Sequence, residues 1–261
     1  LVFAGPFLRY PTRAEVQRAP SCTENKIMKN VRTLSNPAHI MEAATPEAFA
    51  YRERIKHSIQ AVEKYQHRRV NKHRAEMKLI ERGLQTLPPL NSVLDAPCGI
   101  GRACLLLAEK GYDVTGVDLG EAAIMAARTA VEVARANVTI EQADLEQLPY
   151  DDASFDACLC FRFIHHLPTA EIREQIIAEL CRVTRQFVLI SYLNPLSVTS
   201  IRRSIRESFG GKPSVQHRIS LGELVQHFEH QGFSLHQDLA QLPLLHSLHL
   251  AVFKRDRHLT C

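Results

Sequence analysis

Three aspartates punctuate the middle of the chain: Asp95 closes the apolar run Val93-Leu94, Asp118 closes Val114-Thr115-Gly116-Val117, and Asp144 follows Val138-Thr139-Ile140-Glu141. A carboxylate at the end of such a run caps a helix, or it accepts hydrogen bonds from a bound ligand and attracts that ligand's positive charge. Asp95 is followed by Ala96-Pro97-Cys98-Gly99-Ile100-Gly101-Arg102, and then by Leu105, Leu106, Leu107 and Ala108. Glycines allow a sharp turn and close approach of the backbone, and the helix start beyond them presents N–H groups. Strand, tight turn and helix in that order suit nucleotide binding; the bland reading is a strand-to-helix turn with incidental glycines.

Two details select the ligand. A dinucleotide fingerprint needs a third glycine where Cys104 stands,. The Asp95 carboxylate would also repel a pyrophosphate but attract a ligand with cationic groups. S-adenosylmethionine carries two, an ammonium and a sulfonium. Here the chain resembles the class I S-adenosylmethionine-dependent methyltransferases, whose first motif is an acid followed by a GxGxG-type loop. Pro97 takes the place of the first glycine, so no N–H is offered at residue 97. Asp118, 23 residues after Asp95, can accept both ribose hydroxyls. Leu119 is expected against the adenine face, Asp144 at the adenine amino group, and the backbone N–H of Leu145 at a ring nitrogen. The run Asp144-Leu145-Glu146-Gln147-Leu148-Pro149 leading to Ser154-Phe155-Asp156 is similar to the ubiquinone/menaquinone C-methyltransferase group. The resemblance covers roughly residues 91–192 and continues more weakly to 253. It implies S-adenosyl-L-methionine held by Asp95, Ala96, Pro97, Gly99, Gly101, Asp118, Leu119, Asp144, Leu145 and Phe161. It also implies an α/β fold: a Rossmann-like, seven-stranded, mostly parallel sheet with helices on both faces, closing in an antiparallel hairpin.

The expected fourth strand ends in Phe161-Arg162-Phe163-Ile164-His165-His166, and ligands of open α/β sheets sit beyond the carboxyl ends of the strands. Methyl transfer needs acceptor and methyl held close and in line, and sometimes a base. His165 and His166 are therefore candidates for a general base, the alternative being structure or cofactor packing. No metal is expected, because adjacent residues at a helix start diverge and no third ligand is evident. Tyr192, at the end of the fifth strand, could touch the acceptor or be a packed aromatic. The chain lacks the Asn/Asp-Pro-Pro-aromatic motif common in base-amino methyltransferases, and its only Pro-Cys pair, Pro97-Cys98, lies in the glycine turn.

The elements that must hold these residues follow from patterning. Residues 1–46, with five prolines, read as an extended or partly disordered arm. Residues 47–89 read as a basic helical cap; ten Lys or Arg against four Glu fall between Arg52 and Arg82. That face is either solvated or a docking surface for an anionic acceptor such as a phosphorylated lipid, a glycan or RNA, with Tyr65, Arg69 and Arg74 as pocket candidates. Residues 90–253 form the expected cofactor-binding domain. Within it, 194–220 carries a short basic helix and a glycine pair, read as a movable lid, and 254–261 read as a polar tail. The formal net charge of +4 argues for no particular partner, and an odd count of seven cysteines without a C-x-x-C pair fits reduced thiols,. No apolar run is long enough to span a bilayer and Leu1 to Leu8 makes no convincing signal peptide, so a cytoplasmic location is expected. The sequence thus leads to a methyltransferase for a small or membrane-derived anionic acceptor, with an RNA methyltransferase or a non-catalytic cofactor-binding scaffold as alternatives. It does not fix the oligomeric state.

Overall fold

The computed structural model describes residues 70–210, 216–242 and 245–256. The expected arm at 1–46, the cap up to residue 69 with Tyr65 and Arg69, and the last residues of the tail lie outside the described residues. Short runs rich in β-branched and apolar side chains become the strands β1 (Ser92–Asp95), β2 (Asp113–Asp118), β3 (Val138–Gln142), β4 (Phe155–Cys160), β5 (Thr184–Leu193), β6 (Phe233–Ala240) and β7 (Leu248–Arg255). Helices α1 (Val70–Leu84), α2 (Arg102–Glu109), α3 (Glu121–Ala134), α4 (Ala170–Val183), α5 (Val198–Ser208) and α6 (Leu221–Glu229) connect or flank them. Thr169 and Ser220 cap α4 and α6 as their spacing predicts, each side chain accepting a backbone N–H three residues on,.

The sheet runs β3-β2-β1-β4-β5-β7-β6. β1 to β5 are mutually parallel, and β7 is antiparallel to both β5 and β6. One face packs against α1, α2 and α3 through Leu79, Ile80, Leu107 and Ala127. The other packs against α4 and α6 through Ile176, Ile177, Leu224 and Phe228. Burial on both faces explains why β4 and β7 read as nearly continuous apolar runs. β7 runs two residues past its expected end at Phe253, to Arg255, whose guanidinium donates to the Cys181 and Thr184 carbonyls at 2.6 and 2.7 Å.

Asp156, in the Ser-Phe-Asp motif, does a structural job at the opposite edge from the strand carboxyl ends. Its carboxylate accepts from the Asn91 and Ser92 N–H groups at 2.9 and 3.2 Å and from Arg185 at 2.5 Å. Burial pushes its pKa up, but these donors outweigh it and hold the group below the usual carboxylate range,.

Candidate functional site

β1 lies between β2 and β4 and the chain turns opposite ways on its two sides, so a crevice opens beyond the carboxyl ends of β1 and β4. Asp95 ends β1, Asp118 ends β2 and the Asp144 loop follows β3. These three acids therefore stand side by side along one edge.

The turn after β1 is built by two glycines in left-handed conformation, Gly99 at φ 55° and Gly101 at φ 78°. A Cβ on Gly101 would also lie 3.2 Å from that of Ala127, so this position has no room for a side chain. A Cβ on Gly99 would meet nothing within 4 Å, which leaves open space over the turn. The Ala96 N–H extends β1 by donating to the Leu159 carbonyl at 2.9 Å, and the Cys98 N–H reaches the Val117 carbonyl at 2.7 Å. The half-buried Pro97 follows a cis peptide bond.

Asp118 fixes the turn from the neighbouring strand. One carboxylate oxygen accepts the Gly99 N–H at 3.0 Å and the other accepts the Gly120 N–H at 2.8 Å. The N-cap of α3 is Gly120, with no side-chain cap, so Asp118 is not a helix cap. Leu119 is half-buried and its carbonyl accepts from Gln142 at 2.9 Å. Asp144 accepts the Glu146 N–H at 3.0 Å and shapes its own turn, while the Leu145 side chain is buried in the core.

Asp95 is the most perturbed carboxyl of the group, 1% exposed. Its Oδ2 accepts from the Cys104 thiol at 3.1 Å, and its Oδ1 is buried without a hydrogen-bond partner. Burial raises its pKa to about 7; the Cys104 contact opposes that shift and the negative charge of Asp118 adds to it,. The Cys104 thiol is held well above its usual range by contact with the Cys98 thiol and by burial. An orphaned buried acceptor at the end of a strand, beside an open glycine turn, suits a cationic ligand group.

A second set of side chains closes the far side of the crevice. Glu76 on α1 is fully buried and pairs with Arg102, the first residue of α2, at 3.8 Å and with Arg162, just past β4, at 3.7 Å. Arg162 adopts φ 63°, left-handed for a non-glycine residue, and its N–H donates to the Ser191 hydroxyl at 2.6 Å. Such backbone costs about 1–3 kcal/mol and persists where the surroundings impose it, often at functional sites. Burial, then the positive charges of Lys72 and Arg162, lower the pKa of His246. His73 contacts Arg102 at 3.3 Å, and the whole set carries more positive than negative charge.

Sequence reasoning passed over Glu76 as one charge among many on a basic helix. The signal was its place four residues before Ile80 on the apolar stripe. Arg74, a pocket candidate, is exposed on the outer face of α1; His73 and Glu76 occupy the inner one. Tyr192 is not at the site surface. It is fully buried, its hydroxyl 3.4 Å from His249 Nδ1, and burial followed by the negative charge of Asp238 pushes its pKa upward, so it is a packed aromatic and not a group open to an acceptor. His165 is buried and His166 exposed, their rings 4.3 Å apart, and the His165 carbonyl accepts the His217 N–H at 2.8 Å. Phe161 is half-buried between β4 and the crevice. Among the described residues no group of three or more His, Cys, Asp or Glu could hold a metal ion.

A family model described as a methyltransferase domain matches residues 93–186, from β1 to the start of β5. These residues are thus similar to a methyltransferase domain. The domain is 37% identical over 76 residues to a ubiquinone biosynthesis O-methyltransferase of Coxiella burnetii, covering 29% of this chain and 32% of that protein. It is 29% identical over 161 residues to the 27-O-demethylrifamycin SV methyltransferase of Amycolatopsis mediterranei, covering 58% and 56% respectively. The chain thus matches less than two thirds of the length of either curated relative. In fold it is similar to the magnesium protoporphyrin IX methyltransferase of Synechocystis, solved with bound SAH, with a TM-score of 0.58, 18% identity, and coverage of 85% of this chain and 100% of that one. The cyclase SpnF shares the fold too, with a TM-score of 0.56 at 15% identity over 70% of this chain and 80% of that one. The methyltransferase architecture alone does not dictate the reaction.

Proposed function

We propose that the chain is an S-adenosyl-L-methionine-dependent methyltransferase whose acceptor is a small or membrane-derived molecule carrying an anionic group. The observation that carries the cofactor reading is the orphaned Oδ1 of Asp95, buried beside the open glycine turn. That oxygen would take the cofactor's ammonium, Asp118 the ribose hydroxyls, and the Asp144–Leu145 turn the adenine edge, with Gly99, Gly101, Leu119 and Phe161 lining the way. Bound there, the cofactor supplies an electrophilic methyl on a positively charged sulfur.

The residues of the chain would then hold the acceptor in line and keep water out. Arg102 and Arg162 around the single Glu76 favour an acceptor with a carboxylate or phosphate,. His165 and His166 are the nearest bases to this loop by sequence. The ubiquinone and rifamycin relatives act on small molecules by name, which supports the same substrate class.

Calorimetric titration with S-adenosylhomocysteine tests the cofactor, and incubation with methyl-labelled S-adenosylmethionine and fractionated cell extract tests the acceptor. Saturable binding with label in an acidic small-molecule or lipid fraction is the expected result. Label in RNA would replace the acceptor assignment, binding without turnover would make the domain a scaffold, and no binding would end the cofactor reading.

A further inference from the structure

Helix α5 turns its polar side inward. Ser200 is buried, and Arg218 crosses to this side to donate to the Ser200 carbonyl at 3.2 Å, to the Ser204 hydroxyl, and to Glu207 at 2.9 Å. At 3.6 residues per turn, Val198, Ile201, Ile205 and, just past the last turn, Phe209 share the opposite side. They are 43%, 47%, 53% and 86% exposed. Leu196 before the helix is exposed too, as is Leu245, whose carbonyl accepts the Thr199 N–H at 3.2 Å. Single exposed apolar residues are ordinary on a protein surface, but an adjoining set of this kind marks an interface. Arg202 and Arg206 follow one flank of the stripe and are exposed as well.

We propose that this face docks on an anionic lipid bilayer, its apolar side chains entering the headgroup boundary while Arg202 and Arg206 meet lipid phosphates. Charge decides between the possible occupants. Residues 1–69 hold 12 Lys or Arg against 6 Glu, so that part of the chain is repelled by an arginine-flanked stripe. A second copy seated on the same face would bring the two arginine pairs together across a twofold axis. An anionic lipid surface matches both halves of the stripe. α5 follows directly from the carboxyl end of β5, so docking turns the edge that bears Asp95 and Asp118 toward the bilayer. The docking surface goes beyond the methyltransferase reading and does not depend on it.

The test is co-sedimentation of the full chain with vesicles of phosphatidylcholine mixed with phosphatidylglycerol, against phosphatidylcholine alone. Two double variants are compared, Ile201→Ser with Ile205→Ser and Arg202→Gln with Arg206→Gln, all at exposed positions. S-adenosylhomocysteine binding and thermal melting are read on each. The wild type is expected in the pellet only with the anionic vesicles, and less so at high salt. Each double variant should lower the bound fraction about tenfold, with unchanged melting. No sedimentation of the wild type overturns the proposal. So does sedimentation that the isoleucine variants leave intact, which would assign binding to the basic residues elsewhere. A concentration-dependent dimer abolished by the same variants without lipid would assign the face to a second copy. Loss of vesicle binding with intact cofactor binding separates this proposal from the methyltransferase reading.

Discussion

At the scale of single residues, a carboxylate of the site shapes the backbone around it. Asp118 does so with both oxygens, which hold the Gly99 and Gly120 N–H groups. Asp118→Asn keeps the size but turns one oxygen into a donor that faces another donor. We expect it to weaken S-adenosylhomocysteine binding by about 2 kcal/mol, roughly thirtyfold, read by calorimetric titration. Tyr192 supplies the contrast. Its hydroxyl lies 3.4 Å from His249 Nδ1 and hydrogen-bonds Asp238 within the core, so Tyr192→Phe should cost about 1 kcal/mol of stability in urea unfolding and leave methyl transfer unchanged. A fall in turnover with stability intact would return Tyr192 to the site. The sequence exposed the acids because each one ends an apolar run, a local pattern. It left Tyr192 open because a residue at a strand's end faces solvent or core according to what lies around it, and its cross-strand neighbour on β7, His249, arrives more than fifty residues later.

At the scale of elements, the first three strands and the helices between them were legible. Short apolar runs that end in an acid and a glycine turn are local signals, and they agree with one another along residues 92–142,. The geometry between elements was not legible. Gly116 in the middle of β2 looks like an ordinary weak point in a strand, but a Cβ there would fall 2.5 Å from Cys104 Sγ and 2.9 Å from Ile140 Cδ1. Gly116→Ala should therefore destabilise the fold by about 1–3 kcal/mol, and Cys104→Ala in the same chain should recover part of the loss. Thermal melting of the single and double variants decides it; additive losses would mean that the contact does not matter. Glu76 is legible only once α1 lies across the crevice, because its two arginines come from α2 and from the loop after β4. Glu76→Gln leaves both cations without their counter-charge in a buried place, with an expected cost of about 3 kcal/mol in urea unfolding. The faces of α5 were hidden from sequence reasoning for the same reason. Three arginines and a glycine pair suggest a movable lid, and only the assembled structure shows that Arg218, from outside the helix, seats its polar side and leaves the apolar one outward.

At the scale of the whole molecule, Asp95 ties the fold to pH and, in the proposed function, to the cofactor. The sequence placed it at a strand end; only the assembled sheet, with α2 and Cys104 above it, makes it a buried acid with a pKa of about 7. Its ordinary value is near 3.8, so between those two limits the folded chain holds a proton that the unfolded chain has lost. The contribution of this group to stability is then greatest at low pH, falls as pH rises from about 4 to about 7, and levels off above. Lowered groups such as Asp156 act in the opposite sense, gaining as pH rises, so the slope of the wild type alone is not diagnostic. The difference between wild type and Asp95→Asn isolates the term. In urea unfolding from about pH 5 to about pH 8, the variant should gain on the wild type as pH rises, by up to a few kcal/mol. A ligand ammonium reverses the preference by stabilising the carboxylate. Affinity for S-adenosylmethionine should therefore strengthen as pH rises toward about 7 and then level off, with close to one proton released on binding below that point. Titration calorimetry in two buffers of different ionisation enthalpy counts that proton. Wild-type binding that is flat across this range, with no proton released, would mean that the buried oxygen of Asp95 does not receive the cofactor's charge.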